Sequence, residues 1–357
     1  MRMQNKSIRT NRHIVVFESD DWGTVRLPSL KIREDLLKKG IRLSMPDTYD
    51  KFDTLASNDD LTAFMEVLVK VKDRNGNPAK ITFNTVVANP DFDRIRESGY
   101  QTYYYEPFVK TLERYPRHDH SFNLWKEGIE KGVFQPQFHG REHLNVQLWM
   151  QCLREGLPDV LAAFDYGLFS VMAKGRKLMP AYNIATDYES GFVKNAIKEG
   201  MGLFVGLFGF TSLSTIAPSY TWDDYVERSA LDEGVKVIQG EYRQKHSKAC
   251  GNSQTWHYMG ECNVLGQVYL TRNCYFEPTQ SKKMDGAGCL RQIAKQFSAG
   301  RPAVVSCHRL NFIGDLVESN RTENLRDFGW MLRQIIKRWP DVEFMSSDEF
   351  GRILLNQ

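Results

Sequence analysis

Three short stretches, far apart in the chain, end apolar runs in side chains suited to metal chemistry. Asp20 and Asp21 follow Ile14-Val15-Val16-Phe17-Glu18-Ser19, His139 and His143 follow Phe134-Gln135-Pro136-Gln137-Phe138, and His308 follows Ala303-Val304-Val305-Ser306-Cys307. An aspartate pair plus two histidines supplies two or three ligands to a divalent ion and leaves a carboxylate over as a base. His308, with an unperturbed pKa of about 6.5, suits proton donation to a leaving group. Each residue also has a plainer reading: adjacent aspartates cap turns, and a lone histidine at a strand end is usually a satisfied core or rim residue. Neighbouring side chains on a regular strand point to opposite faces. Both aspartates therefore reach one pocket only if the strand breaks there, and Trp22-Gly23 is consistent with a break.

The elements that must hold these groups follow from hydrophobic periodicity. Short runs rich in β-branched and aromatic residues predict eight strands, at 13–19, 80–87, 133–138, 211–217, 235–240, 267–273, 302–307 and 342–346. Helical patterns lie between them, at 29–39, 59–72, 122–131, 142–155, 189–199, 223–232, 286–298 and 321–338. Gly40 is the expected stop of the first, and Asn58 the expected N-cap of the second. Strand–helix alternation implies a mostly parallel sheet. The expected fold class is α/β, an irregular (β/α) barrel of seven or eight strands with long loop insertions, in one domain over 1–357. Such a barrel needs about 250 residues. The surplus is expected in the connections 41–57, 88–120 (with Tyr100, Tyr103, Tyr104, Tyr105 and Phe108) and 241–266 (with His246, Trp256, His257 and Tyr258). Long connections of this kind often form binding rims, although plain surface packing accounts for any one of them equally well.

Composition narrows the function class. Lysine and arginine total 47 against 44 acids, a net charge of +3, which gives no field for nucleic acid or an anionic membrane. Six scattered cysteines with no C-x-x-C pair read as reduced thiols. The first twelve residues lack the apolar core of a signal peptide, and the glycine-rich run 201–210 is too brief for a transmembrane span. A cytoplasmic protein is expected. The sequence carries no signal for its oligomeric state.

The set of motifs resembles the polysaccharide deacetylases of the NodB-homology type, within the glycoside hydrolase/deacetylase barrel superfamily. Glu18-Ser19-Asp20-Asp21 is similar to that family's strand ending Thr-Phe-Asp-Asp, His139 and His143 to its histidine pair, and His308 to its late catalytic histidine. Ala217-Pro218-Ser219-Tyr220 is similar to its Arg-x-Pro-Tyr segment but lacks the arginine. Ser19 stands where the family has phenylalanine, Leu144 where it usually has proline, and the first two motifs lie unusually far apart. The resemblance implies Asp20 as general base, Asp21, His139 and His143 as metal ligands, and His308 as the acid that protonates the departing amine. It implies removal of an acyl (N-acetyl) group from a carbohydrate by metal-activated water. Zinc is the first choice of ion, with cobalt, nickel or manganese also suited to these ligands.

Two rivals stand beside this reading. His139-Gly140-Arg141-Glu142-His143 also spells H-x-x-E-H, the inverted zinc-peptidase motif, with Glu142 as base. That motif belongs inside a helix, whereas Gly140 and the run before it argue for a strand end. The other rival is a carbohydrate-binding barrel without turnover. Tyr220, Arg272 and Asn273 are the expected substrate-binding residues; Asn84, Glu277, Asp348 and Glu349 are lesser candidates, each equally readable as ion-paired or solvated surface, and Arg243 could contact the carbonyl or hydroxyls of a sugar but is not placed by the sequence. The tyrosines at 103–105 would suit stacking on a sugar ring.

Overall fold

The computed structural model describes residues 7–41, 43 and 48–356. Its centre is one nine-stranded sheet: β1 (Ile14–Trp22), β2 (Ile81–Thr85), β3 (Phe134–Phe138), β4 (Ser214–Ile216), β5 (Val237–Gly240), β6 (Val268–Thr271), β7 (Cys274–Tyr275), β8 (Ala303–His308) and β9 (Glu343–Met345). All pairings within it are parallel, in the order β6-β5-β4-β3-β2-β1-β8-β7, with β9 beside the first half of β1. Every expected strand is present. Among the described residues no hydrogen-bonded ladder closes the ring. The chain closes it instead, because β6 and β7 are successive halves of one stretch that changes neighbours. Arg272 N–H donates to Gly240 O at 2.8 Å on the β5 side, and Asn273 N–H to Val304 O at 3.0 Å on the β8 side.

Alternation along β1 sorts its residues. Val15 and Phe17 join the large core between sheet and helices, while Ile14 and Val16 join Val237, Leu270 and Val304 in a separate apolar cluster. Phe350 and Leu354 of the C-terminal helix plug that cluster. One layer higher the apolar filling stops, and Glu18, Asn84, Gln137, Ser214, Gln239 and Arg272 fill the barrel instead, all buried. Their hydrogen bonds form a chain: Asn84 Nδ2 to Gln239 Oε1 at 2.8 Å, Gln239 Nε2 to Ser214 Oγ at 2.7 Å, and Ser214 Oγ to Gln137 Oε1 at 2.7 Å. Buried polar groups are tolerated when paired in this way.

The helices lie near their expected places, and the ends differ for physical reasons. The first, α1 (Leu30–Lys38), stops at Gly40, whose φ of 76° lets Ile41 N–H reach back to Leu36 O at 3.0 Å. The second, α2 (Asn58–Val69), is capped by Ser57 and not by Asn58, because Ser57 and Asp60 form a reciprocal capping box. The helix expected at 189–199 is α3 (Ser190–Phe208) and runs on to Gly209. Gly200 does not end it: a Cβ there would press on Phe138 and Arg141 at 2.9–3.0 Å, so its glycine permits close contact with the end of β3. Among the described residues, no helix is long and apolar enough to cross a membrane.

Small hairpins stand on the connections that leave the C-terminal ends of strands: Ala88–Pro90 with Tyr105–Pro107, and Arg243–Lys245 with Gln254–Trp256. The connection before α3 carries a third, Met172–Ala173 with Arg176–Lys177, an insertion absent from the sequence-based account of the surplus.

Phe83 lies between Trp22 and Phe134, with ring centroids 3.7 Å and 4.3 Å away. Phe83→Ala is expected to lower unfolding free energy by about 3–5 kcal/mol in a denaturant titration.

Candidate metal centre

The two aspartates share a pocket because β1 bulges. Ser19 pairs with Phe83 and Trp22 with Thr85, so three steps on β1 oppose two on β2. The extra residue is absorbed at Asp21, whose φ is 74°. A left-handed aspartate costs about 1–3 kcal/mol and persists where its surroundings over-determine it. Trp22 supplies part of that constraint, donating from Nε1 to Ser19 Oγ at 2.9 Å. Gly23, at φ 87°, supplies another, since a Cβ there would lie 2.3 Å from Val86 O.

His139 leaves the end of β3, and its ring pairs through Nδ1 with Ile216 O at 2.8 Å. Donation there from Nδ1–H leaves the Nε2 lone pair free. His143 lies in the turn before the helix Val146–Arg154, so the pair is presented by a strand end and the loop after it. Asp21 Oδ1 lies 3.7 Å from His139 Nε2 and 3.5 Å from His143 Nε2. All three residues are buried, and one ligand atom from each lies within 4.8 Å of the others. Burial, then the positive charge of Arg26, pushes His143 down to about 3, so it is a neutral imidazole at physiological pH. Its Nδ1 is buried without a hydrogen-bond partner. Two imidazoles and an ionised carboxylate are a suitable donor set for a zinc-like ion, with room for a fourth ligand.

Asp20 is held from below. Arg272 grips it with both terminal nitrogens, Nη1 to Oδ2 at 2.7 Å and Nη2 to Oδ1 at 2.6 Å, and Asn84 Nδ2 donates to Oδ1 at 2.8 Å. Burial alone would raise the Asp20 pKa; Arg272 outweighs it and holds the carboxyl below its ordinary value. The same guanidinium reaches Glu18 Oε2 at 2.7 Å and Tyr220 Oη at 2.9 Å. His308 Nε2 lies 3.8 Å from Asp20 Oδ2, and its Nδ1 pairs with Glu277 Oε1 at 2.5 Å. Burial works against a charged His308, but Glu277, then Asp20 and Asp21, raise it to about 9.

These groups surround a cavity of about 80 Å³, lined by Asp20, Asp21, Arg26, Tyr49, His139, His143, Met179, Tyr220 and His308 among others. Of the expected site residues, Asp20, Asp21, His139, His143, His308 and Tyr220 converge on it. Arg272 does not line it: fully buried, it acts on the site through Asp20. Asn273 is turned elsewhere, bonding Pro302 O and Val304 N at 2.9 Å each and pinning the closing strand to β8. Contact with substrate is therefore not its place in the structure.

Other residues were not singled out from sequence. Arg26 Nη2 is 3.0 Å from Asp21 Oδ1, and Arg26 also pairs with Asp53, which Arg309 grips in turn at 2.9–3.0 Å. Asp53 lies in the surplus stretch 41–57 and Arg309 adjoins His308, but neither position has a pattern that marks it. Glu277, one of the lesser candidates by sequence, is the carboxylate that pairs with His308 Nδ1.

Glu142 is unavailable to the pocket. Both its oxygens accept from Arg141 at 2.6 Å, and Arg141 also pairs with Glu199. Tyr103 and Tyr105 flank this guanidinium at 5.5 Å and 4.3 Å, and Tyr104 covers Arg94 at 4.0 Å. The tyrosine cluster packs arginines and is not an open platform for a sugar.

Comparison with solved structures places the fold. A protein from Parabacteroides distasonis assigned as a glycoside hydrolase/deacetylase aligns over 98% of this chain and 73% of its own, at 11% identity and a TM-score of 0.53. One from Mycobacterium smegmatis assigned to the polysaccharide deacetylases aligns over 98% of this chain and 93% of its own, at 10% identity and a TM-score of 0.50. The chain has the fold of these deacetylase barrels. No family model and no curated protein sequence matches it.

After incubation with zinc and dialysis, elemental analysis is expected to find one ion per chain. His139→Ala and Asp21→Ala should lose it, and Glu142→Gln should keep it.

Proposed function

We propose that this barrel is a metal-dependent hydrolase that removes an N-acetyl group from a carbohydrate. The observation that carries the reading is the convergence of Asp21, His139 and His143 beside Asp20 and His308 on one cavity. Asp21, His139 and His143 would hold the ion, zinc first and cobalt, nickel or manganese as alternatives. When bound, such an ion polarises an acyl carbonyl and lowers the pKa of water.

The chain's own groups divide the remaining work. Asp20, kept ionised by Arg272, accepts a proton from water as the water oxygen attacks the acyl carbon. Arg272 and Asn84 fix the orientation of that carboxylate, leaving Oδ2 on the side of His308. His308, charged at neutral pH, donates a proton to the amine nitrogen as the carbon–nitrogen bond breaks, which releases acetate and a free amine. Glu277 is a positioning residue: it fixes the imidazole through Nδ1 and favours its charged form. Asn311 and Gln280 donate to the other Glu277 oxygen at 2.7 Å and 2.8 Å.

The pairing of β1 with β8 and β9 joins the two ends of the sequence and supports treating the chain as one domain. Its cysteines are free thiols, which suits a reducing, cytoplasmic setting.

A second reading has its own observation. Asp20 and Asp21 are each already charge-compensated, by Arg272 and Arg26. A barrel balanced in this way would bind a carbohydrate without turning it over. Zinc uptake with release of acetate from an N-acetylated sugar decides for the hydrolase, and sugar binding without acetate decides for the second reading.

Asp20→Asn is expected to keep zinc and lose acetate release by about 10²–10⁴-fold. Because His308 donates only when protonated, activity should fall on the alkaline side as pH passes about 9. Glu277→Gln removes the anion that favours the charged ring, so that limb should move to lower pH in a kcat–pH profile.

A further inference from the structure

The hairpin Arg243–Lys245/Gln254–Trp256 stands beside the cavity wall and has two unlike faces. Arg243 is opposite Trp256, Gln244 opposite Thr255, and Lys245 opposite Gln254. Directly opposed residues share a face, and faces alternate along each strand. Gln244 turns inward: it is 3% exposed, donates to Trp222 O at 2.9 Å and pairs with His257 Nε2 at 2.7 Å. The other face therefore carries Arg243, Lys245, Gln254 and Trp256, and Trp256 is 55% exposed.

That face adjoins the site. Lys245 Nζ donates to Ser219 O at 3.2 Å and lies 5.9 Å from the Tyr220 ring, and both Ser219 and Tyr220 line the cavity. Lys245 O accepts from Trp222 N–H at 3.0 Å, which fixes the hairpin to the same wall. Lys177, on the hairpin that leads to cavity residue Met179, also acts on Lys245 electrostatically. Among the described residues, Lys177, Arg243 and Lys245 form no ion pair; Glu241 is the carboxylate that acts on Lys245, and it forms none with them. Burial, then Arg243 and Lys177, hold the Lys245 pKa below its ordinary value against Glu241. Arg243 and Lys245, sharing one face of the hairpin and without an ion pair there among the described residues, suit an anionic ligand.

We propose that this outer face is a subsite for a phosphate or diphosphate ester carried by the substrate sugar, with Trp256 stacking on a ring beyond the phosphate. The Arg243–Trp256 pair lies two residues, about 7 Å along the strand, from Lys245. A phosphate bridging Lys245 and Arg243 thus has a ring-sized neighbour at Trp256. A guanidinium and an ammonium on one face match several phosphate oxygens, whereas a lone carboxylate would use only part of the pair. The substrate class is then a phosphorylated N-acetyl sugar rather than an uncharged polymer. The subsite deepens the hydrolase reading and rests on it for the sugar, but its test reads binding alone.

Titration calorimetry of the zinc-incubated full chain would compare N-acetylglucosamine with N-acetylglucosamine 1-phosphate at low salt. The phosphorylated sugar is expected to bind about tenfold tighter or more. Added salt should erode that preference, and Arg243→Gln/Lys245→Gln should abolish it with thermal melting unchanged. Trp256→Ala should weaken UDP-N-acetylglucosamine and a prenyl-diphosphate-linked N-acetylglucosamine if each presents a group to the indole, and the tighter of the two identifies the source. Equal affinity for charged and uncharged sugars, no binding of the phosphorylated sugar, or a preference that survives the double substitution would overturn the subsite. Acetate release without a charge preference counts against the subsite alone. A charge preference in a protein that takes up no zinc counts against the hydrolase reading alone.

Discussion

Charge burial is the constraint on which the upper half of this barrel depends. Glu18, Asp20, Asp21 and Asp53 lie almost wholly out of water, as do Arg26, Arg272 and Arg309. An isolated buried carboxylate costs several kcal/mol, and the cost is offset only where opposite charge and hydrogen bonds meet it directly. Each aspartate here meets a guanidinium within 3.2 Å. Removing one arginine would leave a carboxylate stranded, so these pairs fix geometry more than they add stability. A bidentate guanidinium also fixes the plane of the carboxylate it grips, as Arg272 does for Asp20.

The barrel separates its two tasks by height. Its lower half is filled by Ile14, Val16, Val237, Leu270 and Val304 and plugged by Phe350 and Leu354, a packed apolar layer. Its upper half is the polar network from Gln137 through Ser214, Gln239 and Asn84 to Asp20. Packing below and hydrogen bonding above together hold the mouth residues in fixed rotamers, the pre-organisation that a site on strand ends requires. The closing strand links the layers. Leu270 faces the apolar cluster, and two residues on Arg272 reaches Glu18, Asp20 and Tyr220, in the strand's period of two.

The segment Ala217-Pro218-Ser219-Tyr220 carries no arginine of its own. The guanidinium that meets Tyr220 Oη and the Asp20 carboxylate comes from far along the chain, from Arg272 at the junction of β6 and β7. Position in space, not position in a motif, is what a carboxylate responds to. The tyrosines at 103–105 show the converse: their residue types suit a sugar platform, but Arg94 and Arg141 occupy their faces. A composition-based reading sees which groups are present and not which partners claim them.

What the chain's order alone determined was periodic or local. Alternation and helical spacing gave all eight expected strands, and apolar runs ending in Asp20-Asp21, His139 and His308 marked the strand ends that meet at the site. Even the need for a break at Asp20-Asp21 was legible, because two neighbours cannot share a face on a regular strand. Only the tertiary structure decided that Asp21 takes a left-handed backbone, that Arg26 and Glu277 join the site, that Arg272 serves Asp20, and that Asn273 turns away to β8. The division has a physical cause. Secondary structure and strand polarity follow from interactions over a few residues, whereas a buried charge finds its partner across as many as 256 positions, through closure of a sheet that local pattern does not encode.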